Sequence, residues 1–171
     1  DHVIRTKGAP LHIKNEADYQ DEKVLKKHIE GFSSRYIKYF NRQSKKADEK
    51  KSILTADPKH GWLRSIGVIG VGKNAKEASA TADLAEQNLH IRIISEKFGG
   101  FYPIKEKDMF DCEYWSLEQA KLGKGKPPAF EGKVVIVTGG AGTIGLETAK
   151  TFSRLGANIL LVDNNQKLLD I

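Results

Sequence analysis

The sequence predicts an α/β protein, with a mixed α/β segment followed by the first βαβ unit of a Rossmann fold. Three observations carry that expectation. The run "VVIVTGGAGTIG" at 134–145 sets four apolar residues directly before a turn with four glycines. A helical stripe and a second apolar run follow that turn within about 30 residues in all, the usual span of a strand–helix–strand unit. Upstream, two longer stretches repeat their apolar residues at helical spacing, with a strand-like run between them.

The elements follow in chain order. His2 to Thr6 reads as a short extended piece, and Gly8-Ala9-Pro10 as a turn. From Asp21 to Arg42 a helix is expected, because Leu25, Ile29, Phe32, Tyr36 and Phe40 form one apolar stripe. Residues 43–52, "QSKKADEKKS", read as an exposed connection. The stretch from Trp62 through Val71 reads as strand. Asn74 can cap the next helix while Glu77, three positions on, reaches back to the cap. Ala78, Ala82, Ala85, Leu89 and Ile93 line one face of that helix, and Gly99-Gly100 stops it. The small alanines predict close packing on a sheet. A further short helix is expected over Lys107–Leu122, with Phe110, Tyr114 and Leu117 on one side. The stretch "GKGKPPAF" at 123–130 then breaks all periodicity and reads as the domain linker. Three regions follow: a mixed segment at 1–122, the linker at 123–130, and a strand–helix–strand unit at 131–171.

Within that last unit, Val134 to Val137 forms a continuous apolar run, as expected of a parallel strand covered on both faces. Thr148, Phe152 and Leu155 make the helical stripe, Gly156 ends it, and Ile159 to Val162 is the second strand.

The totals narrow the function. The chain has 171 residues, 39% hydrophobic and 29% charged, with a formal net charge of +6. No apolar run approaches the roughly 20 residues that cross a bilayer, so no membrane partner is expected. The lysines gather in separate places, and "KKADEKK" at 45–51 carries its own acids, so no nucleic-acid partner is expected. The lone cysteine, Cys112, cannot form an internal disulfide; it reads as an inert packed thiol in a reducing cytoplasm. His2, His12, His28, His60 and His90 show no metal-ligand spacing, so no metal site is expected. Asp1 opens the chain without a starting Met or a signal pattern, which suggests an internal piece of a longer protein.

The glycine turn carries the chemistry. Gly139 can turn the chain sharply off the strand, Gly142 can let backbone approach a pyrophosphate, and Gly145 can let the helix pack tightly on the sheet. The helix start at Thr143-Ile144 offers free N–H groups and a positive dipole end to phosphate. Asp163, 18 residues past Gly145, ends the second strand, where an acid accepts hydrogen bonds from the adenosine ribose. It would repel a 2′-phosphate, so NAD is expected rather than NADP. The competing reading is a plain turn with a capping Asp. Another near-motif, "GVIGVGKN" at 67–74, almost spells a P-loop, but Asn74 stands where Ser or Thr would hold magnesium.

"GKVVIVTGGAGTIGLETAKTFSRLGANILLVDNN" resembles the opening of a short-chain dehydrogenase. Thr143 stands where the classical branch has its middle glycine; the spacing here is more like the extended branch. Upstream, "DHVIRTK", "GVGKNAKEA" and "FDCEYWSLEQAKL" resemble the region joining the two domains of bifunctional rhamnulose-1-phosphate aldolase/alcohol dehydrogenases. The resemblance implies that 1–122 is the C-terminal extension of a class II aldolase domain. It also implies NAD, a small alcohol, aldehyde or sugar-phosphate substrate, and a homo-oligomer. Short-chain dehydrogenases use a later Ser and a Tyr-x-x-x-Lys pair, which this chain does not reach, so it is expected to carry no catalytic residue and to be inactive by itself. Tyr19 and Lys23 match that spacing but precede the glycine turn. A second reading takes the chain as a structural or assembly module whose half-Rossmann unit stays unoccupied.

Overall fold

The computed structural model describes residues 2–122 and 126–169. The chain divides into two compact units: among the described residues, those up to Val71 and from Ala78 to Leu122 make the first, while Gly72–Glu77 joins the residues from Lys126 on in the second.

The first unit is built on a three-stranded sheet of order β1-β2-β3, with β1 Leu11–Ile13, β2 His60–Leu63 and β3 Gly67–Gly70. β1 runs parallel to β2 with Leu11 opposite Gly61, and β3 runs antiparallel to it with His60 opposite Gly70. Alternation along these strands sends Leu11, Ile13, Leu63 and Ile69 to one face. There they meet the long helix α3 (Glu22–Ser44) and the shorter α5 (Glu106–Glu113), in a core completed by Phe32, Tyr36, Tyr39, Phe40, Phe110 and Tyr114. Asp21 starts α3 by accepting from the amides of Lys23 and Val24, close to where the sequence placed it. Helix α4 (Ala75–Ser95) reaches the sheet through its alanines. A Cβ on Gly70 would lie 2.1 Å from the Ala78 carbonyl oxygen and 2.6 Å from the Ala82 nitrogen, so only glycine permits this approach.

Several expectations are corrected. His2–Thr6 is not extended: Val3–Thr6 forms a short helix, α1, because the His2 carbonyl accepts from Arg5, Thr6 and the Thr6 hydroxyl. A short helix α2 (Glu16–Gln20) precedes α3. The single strand expected over Trp62–Val71 is the hairpin β2–β3, which folds back through positive φ angles at Ser65 (65°) and Gly67 (105°). The helix expected over Lys107–Leu122 is two, α5 and α6 (Ser116–Ala120), broken at Tyr114-Trp115. That break swings Leu117 to 64% exposure, away from the buried Phe110 and Tyr114. Ile93 is 58% exposed, because α4 buries Thr81 and Ala85 instead. The Glu77 carboxylate does reach back at the start of α4, but to the amide of Lys73; Asn74 accepts from Glu77 as expected.

The core of the first unit encloses a carboxylate. Glu113 is 1% exposed and accepts from the hydroxyls of Tyr36 (2.8 Å) and Tyr39 (3.0 Å). The Tyr36 and Tyr114 hydroxyls lie 2.7 Å apart, and the Leu54 amide donates to Tyr114, so a relay of donors converges on one acid. Burial pushes the Glu113 carboxyl above the usual range, and the tyrosine bonds and Lys7 offset only part of that shift. Burial also pulls Lys7 down to about 8.

The second unit is a parallel pair, β4 (Val134–Thr138) and β5 (Asn158–Val162), joined by α7 (Thr143–Arg154). A terminal turn of helix, α8, spans Gln166–Leu169. The expected strand–helix–strand order is present, but the sheet is covered on one face only. Val137 is 8% exposed, while Val134 (68%), Ile136 (61%), Leu160 (51%) and Val162 (45%) form a bare apolar face. The packed stripe of α7 runs through Ala149 and Phe152; Thr148 and Leu155, expected there, are exposed. Of the expected linker 123–130, residues 123–125 lie outside the described residues. Residues 126–129 are exposed, and the stretch packs at its end: Phe130 meets Phe152 edge-on at 5.0 Å, and its amide donates to the Leu155 carbonyl.

Candidate functional site

The end of β4 and the start of α7 form the glycine turn. Gly139 has φ +65°, a conformation that side chains resist. A Cβ on Gly145 would lie 2.1 Å from the Gly139 carbonyl oxygen, so Gly145 packs on the turn backbone rather than on the sheet. Gly142 is the residue before the helix; it provides no side-chain cap, and α7 begins with its first amides bare.

The amides divide into two groups. Those of Gly140, Ala141 and Gly142 are satisfied within the unit, by the Val162 carbonyl, the Asp163 carboxylate and the Gly139 carbonyl respectively. Those of Thr143, Ile144 and Gly145 belong to the first turn of α7, where no intrahelical acceptor exists. Thr143 is exposed, and Ile144 is 85% exposed. A positive helix end with open amides and no side chain at Gly142 is suited to an anion.

Asp163 follows β5 and faces the turn. Its Oδ2 accepts from the Ala141 amide at 3.0 Å and its Oδ1 from the Asn165 amide at 3.0 Å. These backbone bonds, led by Asn165, hold the carboxyl below its ordinary range. Each carboxylate oxygen keeps a further lone pair for a ligand hydroxyl. The residues therefore fit a dinucleotide: open amides for a diphosphate, and an acid bonded to the same turn at Ala141. Sequence reasoning missed Ala141 and Asn165, the amides that aim the acid. An Asp followed by two Asn residues is a recognisable side-chain–backbone turn signal.

The near P-loop is accounted for differently. Lys73 pairs with Glu131 at 3.1 Å and its carbonyl accepts from Asn158, so its amine is engaged within the second unit. No cluster of metal-ligating side chains occurs among the described residues. Tyr19 donates to the Arg64 carbonyl.

Fold and turn together define an α/β protein that ends in the opening βαβ unit of a Rossmann fold. The chain belongs to the family described as aldolase class II, second domain, whose model matches residues 1–122, and residues 133–170 match the short chain dehydrogenase family. It is 30% identical over 170 residues to the uncharacterized oxidoreductase YuxG of Bacillus subtilis (strain 168), covering 96% of this chain and 24% of that protein. It is 36% identical over 76 residues to short-chain dehydrogenase reductase 4 of Arabidopsis thaliana, covering 42% of this chain and 25% of that one. Over 38 residues it is 53% identical to the short-chain dehydrogenase/reductase prx4 of Penicillium rubens, covering 22% of this chain and 12% of that one. The chain spans a quarter or less of the length of these relatives. No solved structure matches it.

Proposed function

We propose that this chain is part of an NAD-dependent short-chain dehydrogenase joined to a class II aldolase of sugar-phosphate metabolism. Residues 1–122 are the aldolase-side domain, 123–130 the connection and 131–171 the cofactor-binding domain. Gly139, Gly142, Thr143, Ile144 and Gly145 hold the diphosphate, and Asp163 holds the adenosine ribose. One observation carries this reading: the acid at the end of β5 is bonded to the turn at Ala141, while the three amides beyond that bond remain open. NAD, when bound, supplies the hydride acceptor; the residues here bind and orient it. The proton transfer that accompanies hydride transfer needs a base, and none is assigned in these residues. The whole protein acts on a small alcohol, aldehyde or sugar phosphate, in the cytoplasm and as a homo-oligomer. No helix among the described residues is long and apolar enough to cross a membrane.

A titration with NAD tests the proposal through the amide resonances of residues 139–145. Saturable shifts confined to that turn and Asp163, weaker with NADP because its 2′-phosphate meets a carboxylate, are expected. No response at millimolar NAD sinks it in favour of an assembly module, a reading favoured by the bare apolar face of β4 and β5.

A further inference from the structure

The first unit contains a second concentration of ligand-type chemistry, and it begins in the segment "DHVIRTK" that the glycine turn leaves unexplained. Lys7 ends α1 with φ 60° and ψ 179°, an unusual backbone for a residue with a side chain. Its side chain is drawn inward: the residue is 6% exposed, Nζ lies 3.4 Å from the centroid of the Tyr36 ring, and it donates to the Thr55 carbonyl at 2.6 Å. An ammonium has three donors, so this bond leaves others unspent. Strain of this kind persists where surrounding structure imposes it, and it clusters at ligand sites.

Lys7 lines a cavity of about 260 Å³ together with one face of α3. Phe32, Arg35, Tyr36, Tyr39 and Arg42 recur at helical spacing along that face, so three rings and two guanidiniums share it. The charges are unbalanced. Glu106 is the one acid among the lining residues, and it is already bound by Arg42 through two bonds, 2.9 and 2.6 Å long, and by Gln43. Arg42 keeps three of its five donors. The Arg35 side chain makes no hydrogen bond or ion pair among the described residues. Ala9, Phe32 and Met109 supply apolar wall. Forked guanidinium donors beside an ammonium are the donor set that proteins use for carboxylates and phosphates.

We propose that this pocket is a binding site for a small dianionic oxyanion ligand, with Arg35 and Lys7 taking the charged oxygens and Arg42 adding its remaining donors. Burial lowers the affinity of Lys7 for its proton, and the buried Glu113 nearby offsets only part of that shift; an anion in the pocket would offset more of it. This site is separate from the glycine turn, and its failure would leave the NAD proposal standing.

The test is a titration of the whole chain at constant ionic strength, following the Nε–Hε resonances of its arginines. Sulfate serves as the tetrahedral probe and malonate as the planar dicarboxylate; the tighter of the two names the source chemistry. Saturable shifts at Arg35 and Arg42 are expected with at least one probe. Arg35→Ala, at an exposed position, should weaken binding at least about tenfold, while Lys38→Ala, exposed on the same helix but outside the pocket, should leave it unchanged. Absence of saturation with both probes, or equal weakening in the two variants, overturns the proposal, the second because it marks diffuse charge rather than a site.

Discussion

The first unit closes around a buried carboxyl group, whereas the second leaves one face of its sheet bare. In the first, sheet and helices bury Ile13 completely and Phe110 to 2% exposure, and even the enclosed Glu113 is supplied with donors. In the second, a two-stranded sheet and one long helix bury Val137, Ala149 and Ala157, while Ile136 and Leu160 face solvent. Burial is the dominant favourable term in folding, so the two units differ in how much of their own stability they carry. The difference also bears on function. The first unit is dense enough to hold a strained lysine, and the second is open where a ligand must enter.

The largest effect should come from opening the dense core. Phe110 stacks on Tyr114 with ring centroids 4.5 Å apart and packs edge-on against Tyr39. Phe110→Ala should cost about 3–5 kcal/mol, the range for emptying a buried aromatic site. Urea unfolding followed by tryptophan fluorescence reads this directly, because Trp62 and Trp115 both lie in the first unit. A midpoint equal to that of the unchanged chain would show that this core is not what supports the unit.

A smaller effect belongs to the turn. Gly145→Ala puts a methyl group 2.1 Å from the Gly139 carbonyl oxygen, a backbone atom that cannot step aside as a side chain would. The substitution should destabilise the second unit by about 1–3 kcal/mol, as overpacking does. Amide exchange of residues 146–149 should quicken, while tryptophan fluorescence should not change. Unaltered exchange would mean that the turn relaxes freely, and the tight fit would then carry no functional constraint.

Which parts of this were legible in the sequence follows from the range of the interactions. The βαβ unit was legible because its signals are local: an apolar run, glycines, a helical stripe and an acid at the strand end. Helix α3 was legible through Phe32, Tyr36 and Phe40, and the cap at Asn74 through the amide three residues on. The hairpin at Ser65–Gly67 was not, since a positive φ at serine has no strong local signature. Nor was the exposure of Ile93 and Leu117, because helical spacing defines a stripe without saying that a partner covers it. Glu113 is the clearest case. Its donors lie 77 and 74 residues away in the chain, and in sequence it reads as one more surface acid of an amphipathic helix. The anionic turn at Asp163 was read as a ligand site, while its grip on Ala141 depends on a contact across 22 residues.

That grip gives the smallest and most discriminating prediction, because it separates the two roles of Asp163. Its carboxyl is held below the ordinary range by the amides of Asn165 and Ala141. A depressed folded-state value means that the contribution to stability is present at neutral pH and is lost as pH falls through that value. Corrected for intrinsic rates, the protection of the Ala141 and Asn165 amides should therefore decline as the solution is made acid. In Asp163→Asn only one side-chain oxygen remains, and its NH2 group meets whichever amide it cannot accept from. Protection at one of the two positions should be reduced at neutral pH, and the acid-dependent decline should disappear. If the variant instead keeps both amides protected but loses its response to NAD, Asp163 is a ribose ligand first and a turn clamp only incidentally. If protection and the NAD response fall together, the clamp is the means by which the acid and the open amides of α7 are presented as one site.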